Sequence, residues 1–185
     1  MTTELLLFLF NSVINLIATA LMLRFMLQWV RAPFSNPLGQ LLRTLTDWLV
    51  RPLRRVATGS RGDLALLLVV WLLLTLKVWI SGLLTIPVYT PLALAMIGVF
   101  GLLKLWVQVL WVAIIAMALL SWVAPRNDIM PMLHLLCEPL LAPIRRLLPA
   151  TGGIDLSPLV ALLLGQALLT IVLPTLEHNL LRTLL

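Results

Sequence analysis

The sequence is short of charged residues and of the residue types that most enzymes and metal proteins use. Only 11% of its 185 residues are Asp, Glu, Lys or Arg, against about 25% in an ordinary soluble domain. The single cysteine, Cys137, excludes an intramolecular disulfide, and the two histidines, His134 and His178, have no metal-ligand spacing around them. No nucleophile motif is present either. We therefore expect no metal, no cofactor and no enzymatic activity.

Long apolar runs take the place of the missing charges. Hydrophobic residues make up 62% of the chain, and the mean hydropathy is +1.10. Each charge-free run is long enough to cross about 30 Å of hydrocarbon as a helix. These runs cover residues 5–23, 78–103, 105–125 and 156–176. The sequence therefore predicts an all-α membrane protein with about four transmembrane helices.

Two further segments have an amphipathic pattern. In 37–56 the leucines and Trp48 recur at helical spacing, and arginines such as Arg43 occupy the other positions. A helix of this kind lies in the membrane interface. The second segment, near 128–148, contains Pro139 and Pro143, so it is either a surface helix or a broken, re-entrant element.

The chain consists of two copies of one unit. A shift of 91 residues places the first Pro-Leu-Arg-Arg motif, at 52–55, on Pro-Ile-Arg-Arg at 143–146, and Asp47 on Glu138. The expected units are 1–90 and 91–185, each with a span, an interfacial segment and a second span. The expected elements are 5–30, 37–56 and 64–86 in the first unit, and 97–123, 128–148 and 156–176 in the second.

The positive charges predict an orientation. Almost all arginines outside the spans lie on the side of the two interfacial segments, and Arg182 alone lies on the other. The interfacial segments are therefore expected in the cytoplasm, with both termini outside. The arginines that carry this prediction are Arg31, Arg43, Arg51, Arg54, Arg55, Arg61, Arg126, Arg145 and Arg146.

Several motifs together resemble the YggT family. The second half carries Leu-Ser-Trp-Val at 120–123, Asn127, the proline-rich stretch 139–149 and Gly-Gly-Ile-Asp-Leu-Ser-Pro at 152–158. The first half has a looser version, in which Pro33 stands where the resemblance leads one to expect an acidic residue. The resemblance implies a multi-pass protein of the bacterial inner membrane. It also implies links to osmotic-shock tolerance and potassium handling, or to cytochrome assembly, nucleoid distribution and division.

One lysine lies inside a predicted span. Lys77 is near the middle of the second span, where an unpaired ammonium costs at least about 2.5 to 3.5 kcal/mol. Gln108 and Gln166 are near the midpoints of their own spans, so the three side chains could form a polar seam that serves as an ion site. The alternative is a set of ordinary interhelical hydrogen bonds.

The remaining candidates lie near the membrane surface. Asp63 and Asp155 precede predicted spans and are expected as helix N-caps, while Pro143 and Pro158 belong to the motif that carries the resemblance. Contact with anionic lipid headgroups, or with an acidic protein partner, is expected of five arginines. These are Arg51, Arg54, Arg55, Arg145 and Arg146. A net charge of +6 satisfies the orientation rule without a nucleic-acid partner.

Two functions remain open at this point. The first is support of osmotic stress tolerance and potassium homeostasis through the polar seam, with several copies forming a homo-oligomer. The second is a membrane adaptor that recruits or stabilises another membrane complex, such as division or cytochrome machinery. Loss of function with Lys77→Leu favours the first, and loss with surface arginine changes favours the second.

Overall fold

The computed structural model is an all-helical bundle. It describes residues 2–56, 60–85, 89–124, 126–147 and 155–184, and their side chains except at 2, 53–56, 60–63, 84–85 and 184. The helices are α1 (Thr2–Trp29), α2 (Pro37–Val56), α3 (Ser60–Thr85), α4 (Pro91–Val123), α5 (Met130–Leu147), α6 (Ser157–Ala167) and α7 (Leu173–Leu184). A π-helical turn, Leu168–Val172, joins α6 to α7 in one continuous rod.

Four of these rods are long and apolar enough to cross a membrane, which confirms the predicted fold class. They contain Thr3–Trp29, Leu64–Leu83, Pro91–Val123 and Ser157–Thr183. The other two helices, α2 and α5, are shorter and amphipathic. Leu5, Phe8 and Leu16 of α1 are among the many large apolar side chains exposed along the rods, as expected where lipid covers them.

Both amphipathic helices lie on one side of the bundle, which we call the α2–α5 side. The side-chain nitrogen of Asn36, just before α2, lies 3.5 Å from the carbonyl oxygen of Asp128, just before α5, and 3.3 Å from the sulfur of Met132. Phe25 of α1 and Trp106 of α4 also meet edge to face, 5.8 Å apart. The two units therefore contact each other directly near this side.

Two tryptophans connect neighbouring rods through backbone carbonyls. Trp71 of α3 donates its indole N–H to the carbonyl oxygen of Ala95 in α4, at 3.1 Å. Trp111 of α4 donates in the same way to the carbonyl of Leu162 in α6, also at 3.1 Å. Each indole N–H thereby has a hydrogen-bond acceptor within the bundle, as a polar group in a lipid environment requires.

Three helix ends differ from the sequence prediction. Thr90 accepts a hydrogen bond from the Ala93 N–H and so caps α4, which starts at Pro91 rather than near 97. The helix α3 starts at Ser60, within the expected loop. The last rod reaches Leu184 instead of ending near 176, because the π-helical turn accommodates the missing N–H of Pro174.

The helix α5 runs unbroken from Met130 to Leu147, with both prolines inside it. Its side chains Met132, Leu136 and Leu141 are buried, and it packs against α4, α6 and α1. The segment is therefore one continuous helix rather than a broken one, and its depth in the membrane stays a prediction.

Candidate functional site

A buried ion pair joins the end of α1 to α2. Arg24 is 4% exposed, and its Nη1 atom donates to Asp47 Oδ1 at 2.7 Å and to Thr46 Oγ1 at 2.5 Å. The Nε atom of Arg24 is buried and has no hydrogen-bond partner among the described residues. Arg24 therefore holds α2 against α1 and keeps an unused donor.

The chain reaches this arrangement through a sharp turn after α1. The Ala32 N–H donates to the Leu27 carbonyl at 2.9 Å, and the Arg31 N–H donates to the Gln28 carbonyl at 3.0 Å. Arg31 has a φ of 53°, the left-handed conformation that this helix ending requires and that usually falls to glycine. The chain therefore reverses within a few residues and enters α2.

Asn36 and Gly39 then fix the start of α2. The Asn36 Oδ1 atom accepts the Gly39 N–H at 2.7 Å, as an N-cap does, and Pro37 takes the first helical position. A Cβ atom on Gly39 would lie only 2.7 Å from Phe34 Cα. Glycine is therefore required here by the close approach of the preceding loop.

A pocket of about 420 Å³ opens beside this ion pair. It contains three guanidinium groups and one carboxylate, so its formal charge is +2. We call it the arginine pocket. Its lining residues are Arg24, Gln28, Phe34, Arg43, Asp47, Val50 and Arg51.

Two arginines of the arginine pocket, Arg43 and Arg51, belong to α2 and have exposed side chains. Arg43 lies over the Phe34 ring, 5.1 Å from the ring centroid, and Arg51 lies 3.3 Å from Asp47 Oδ2. The hydrogen bond from Arg24, together with the positive charge of Arg24 and Arg51, holds the pKa of Asp47 below its ordinary value of 3.8, although burial opposes this. Asp47 therefore stays charged at neutral pH.

The second unit has an ion-pair clamp in place of the pocket. Arg145, near the end of α5, lies 3.3 Å from Glu138 and 3.1 Å from Asp155. Asp155 also accepts the Ser157 N–H at 2.9 Å. Hydrogen bonding from Ser157, and then the charge of Arg145, lower the pKa of Asp155 from its ordinary 3.8. The clamp ties the end of α5 to the start of α6.

Lys77 has a hydrogen-bond partner outside the predicted polar seam. The Lys77 ammonium donates to Asn15 Oδ1 of α1 at 2.8 Å. The side chains of Gln108 and Gln166 are exposed, and α3 makes no contact with α6 among the described residues. The partner that compensates Lys77 is therefore an asparagine, and a seam that joins Lys77 to Gln108 and Gln166 stays a prediction.

The other predicted site residues lie at the ends of helices. Asp63 is in the first turn of α3 rather than at its N-cap, because the helix begins at Ser60. Asp155 bonds to the first turn of α6 from one position earlier than the N-cap. Pro158 occupies the first turn of α6, where its missing N–H costs nothing. Pro143 is exposed within α5.

The predicted surface arginines lie in different surroundings. Arg51 belongs to the arginine pocket and Arg145 to the clamp, while Arg146 is exposed at the end of α5. The side chains of Arg54 and Arg55 lie outside the described residues. Contact with lipid or a protein partner therefore remains a prediction for all five.

Three polar contacts between spans escaped the sequence analysis. Lys104 of α4 pairs with Glu177 of α7, and Ser81 lies 3.3 Å from Asn11, one helical turn from the Asn15–Lys77 contact. Asn11 and Asn15 are four residues apart, as are Lys77 and Ser81, and this matched spacing on two apolar runs was the available signal. The position of Arg24 at the end of an apolar run was the available signal for its ion pair, because an arginine there commonly needs a partner.

These polar residues do not assemble a metal site. Within the ranges that the structure describes, no three His, Cys, Asp or Glu side chains come together in a group that could hold a metal ion. The chemistry of the α2–α5 side is instead that of guanidinium and carboxylate groups.

The sequence matches a known family model in two segments, and each segment includes a span, an amphipathic helix and a second span. The model, described as CCB3/YggT, matches residues 3–84 and again 96–176. The chain belongs to the CCB3/YggT family. Each matched segment covers most of one structural unit, so the arginine pocket lies in the first CCB3/YggT unit and the clamp in the second.

Proteins of three bacteria are similar to this CCB3/YggT chain along most of its length. The "Uncharacterized protein YggT" of Escherichia coli K12 is 39% identical over 172 residues, which cover 85% of this chain and 83% of that protein. A Haemophilus influenzae protein is 37% identical over 154 residues, with 82% of each chain covered. One from Vibrio alginolyticus is 36% identical over 157 residues, covering 83% and 85%.

All three relatives are described as uncharacterized. No solved structure matches the chain. The comparisons therefore give the family without an activity.

Proposed function

We propose that the chain is a non-enzymatic adaptor of the bacterial inner membrane. Its α2–α5 side faces the cytoplasm, both termini lie outside, and the exposed arginines of that side recruit or stabilise another membrane complex, such as division or cytochrome machinery. The observation that carries this proposal is a difference between the charged side chains of the spans and those of the α2–α5 side. The ammonium groups of Lys77 and Lys104, in the spans, have partners within the chain, whereas Arg146 at the end of α5 is exposed.

The orientation rests on the distribution of arginines. Arg31, Arg43, Arg126 and Arg146 are exposed on the α2–α5 side, and an excess of Lys and Arg marks the cytoplasmic side of membrane proteins. Trp29, Trp48 and Trp122 are also exposed near this side, where aromatic rings prefer the headgroup region.

The partner surface is the end of α5, where Arg145 and Arg146 are exposed. Arg145 is 46% exposed even though it takes part in the clamp, so one guanidinium can contact the fold and an acidic partner together. Attraction of this kind acts over about a Debye length and is weakened by salt. An acidic segment of a membrane complex has the complementary charge.

Support of osmotic tolerance and potassium homeostasis by conduction is the second candidate. One observation favours it, because ionisable residues such as Lys77, Lys104 and Glu177 on spanning helices commonly mark ion pathways. A conducting form needs further copies of the chain to cover the exposed Gln108 and Gln166. This candidate therefore requires a homo-oligomer, which the adaptor does not.

Two variants separate the candidates. Cells that lack the protein are complemented with wild type, Arg145→Gln/Arg146→Gln or Lys77→Leu, and survival after an osmotic downshift is scored. Membrane levels of each variant are measured in parallel. The adaptor proposal expects loss with the arginine variant and retention with Lys77→Leu. The opposite pattern contradicts it.

Flux in liposomes provides an independent measurement. The purified protein is reconstituted, and potassium and proton flux are followed after an osmotic step, with empty liposomes as the control. An adaptor leaves the liposomes no leakier than the control. Flux that disappears with Lys77→Leu would replace the adaptor by the conducting oligomer.

A further inference from the structure

We infer that the arginine pocket is a binding site for a phosphate ester. Three guanidinium groups, from Arg24, Arg43 and Arg51, line one cavity whose single carboxylate is Asp47. The planar guanidinium fork binds phosphate and carboxylate groups in a bidentate geometry, and the charge of the pocket favours phosphate. Neither the orientation of the chain nor an adaptor role requires this site, so the inference stands apart from the proposed function.

The charge balance of the pocket suits a phosphate ester. Asp47 is already shared between Arg24 at 2.7 Å and Arg51 at 3.3 Å, which leaves a formal excess of two positive charges. A phosphate monoester carries about 1.5 to 2 negative charges at neutral pH. Such a ligand therefore neutralises the pocket, and the singly charged phosphodiester of a phospholipid headgroup neutralises half of the excess, which a neutral ligand cannot do.

Two of the three guanidinium groups that line the pocket retain unused hydrogen-bond donors. Arg24 is almost fully buried, and its Nε has no partner in the described part of the chain. Arg43 is oriented by the Phe34 ring, a contact that fixes the guanidinium without consuming its hydrogen-bond donors. The site thus contains one buried and one exposed guanidinium with free capacity, in a local environment that is already positive.

The pocket is larger than an inorganic phosphate ion would need. Its volume is about 420 Å³, within the range of small-molecule sites, which begins at about 300 Å³. Phe34 and Val50 form an apolar part of the pocket wall. A glycerol-sized or larger group on the ester can contact these side chains. The ligand class is therefore a phosphate ester with a small organic group.

The pocket lies on the polar flank of α2 and not on its lipid-exposed flank. Arg43, Asp47 and Arg51 follow one another at intervals of four residues, while Leu41, Leu45 and Trp48 are exposed roughly 120° further around the helix. Both a soluble phosphate ester and the headgroup of a phospholipid can approach from this flank. The chemistry they share is the phosphate, and the two sources are separated by experiment.

The second unit lacks this site. A shift of 93 residues aligns the first spans of the two units and places Met117 on Arg24. A shift of 91 residues aligns α5 with α2 and places Ala142 on Arg51. Met117 is buried and apolar. Phosphate binding at this geometry is therefore expected once per chain.

The test measures binding to the purified full chain in an uncharged detergent. One arm titrates glycerol 3-phosphate as a soluble probe. The other presents phosphatidylglycerol or phosphatidylcholine in nanodiscs, and native mass spectrometry counts the lipids that remain bound. The variant is Arg43→Gln/Arg51→Gln, which changes two exposed side chains, and the control is Arg126→Gln/Arg182→Gln, which removes the same charge elsewhere.

We expect one bound phosphate ester per chain, with affinity lowered at least about tenfold in the pocket variant and unchanged in the control. Binding of the soluble probe alone identifies a soluble ligand, and selective retention of phosphatidylglycerol identifies a lipid headgroup. The inference is overturned if neither probe binds, or if both double variants weaken binding equally. Thermal unfolding verifies that both variants are folded.

Discussion

The Arg24 guanidinium at the end of α1 holds the Asp47 carboxylate of α2 at 2.7 Å, and the two partners are unequally buried. The side chain of Arg24 is 5% exposed and that of Asp47 is 28% exposed. A charge left alone in the more buried position costs more than one left near water. The two ends of this contact are therefore expected to respond differently to mutation.

Asp47→Ala is expected to destabilise the protein more than Arg24→Met. The first change leaves a buried guanidinium without its counter-ion, at a cost of about 3 to 5 kcal/mol. The second leaves a carboxylate that is partly exposed and still paired with Arg51. Denaturant unfolding in detergent measures both, and Arg51→Gln, an exposed change expected to cost below about 1 kcal/mol, is the control. A smaller loss for Asp47→Ala would contradict this account.

The same contact predicts a pH dependence. The pKa of Asp47 is lower in the folded chain than its ordinary 3.8, so the unfolded chain binds more protons near that pH, and stability rises with pH there. The stabilisation is complete above 3.8 and is lost as pH falls through the lowered value. Melting temperatures between about pH 6 and pH 3 should fall more steeply in wild type than in Asp47→Asn. Parallel slopes would refute the assignment.

Gly98→Ala is expected to separate α3 from α4. A Cβ at this position would lie 2.1 Å from Thr75 Oγ1 and 2.9 Å from the Trp71 indole nitrogen, both in the α3 face that α4 contacts. Overpacking of this kind costs about 1 to 3 kcal/mol. Because Trp71 bonds across the same interface, its fluorescence should also change.

Gly101→Ala is the matched control for Gly98→Ala. Its added Cβ would meet only Leu74, at 3.5 Å, an ordinary contact distance. The thermal midpoint should stay close to that of wild type. Equal effects of the two substitutions would show that loss of glycine, rather than the close approach at 98, is responsible.

Asn15→Leu is expected to cost more than Lys77→Leu. Removal of the amide leaves the Lys77 ammonium without its partner at 2.8 Å in a membrane span, where an unpaired charge costs at least about 2.5 to 3.5 kcal/mol. Removal of the lysine leaves only a neutral amide. The double variant should recover most of the stability lost in Asn15→Leu, and a double-mutant cycle without coupling would show that the contact does not form in the bilayer.

Cys137 is expected to resist thiol reagents until the protein unfolds. Its side chain is fully buried in α5, and burial raises the pKa of its thiol to about 12. The reactive thiolate is therefore scarce at neutral pH. Maleimide labelling should be slow in the native protein and fast in denaturant, and as the chain has one cysteine the label reports unfolding directly. Rapid labelling of the native chain would contradict the burial.

The sequence predicts some levels of this structure better than others. Apolar runs of sufficient length predict spanning helices, because few other structures satisfy the backbone in lipid. The spacing of Leu38, Leu41, Leu42 and Leu45 likewise predicts an amphipathic α2. These inferences depend on residues close together in the chain.

The neighbours of each helix could not be predicted in the same way. A spanning helix is apolar on all sides, since lipid and protein are about equally apolar, so its sequence does not mark the face that meets another helix. Lys77 alone therefore did not decide between Asn15 and Gln108 as its partner, and only the matched spacing of Asn11 and Asn15 with Lys77 and Ser81 favoured Asn15. The burial of Arg24 could not be predicted either, because Arg24 is buried only where α2 packs against the end of α1.

The hydrogen bonds from Trp71 and Trp111 have an evolutionary consequence. Each indole donates to a backbone carbonyl, that of Ala95 or Leu162, and every residue type supplies such a carbonyl. Substitutions at 95 and 162 can therefore accumulate without removing the acceptor, whereas each tryptophan is irreplaceable as donor. Positions 71 and 95, and likewise 111 and 162, should thus show little covariation among homologues even though they are in contact.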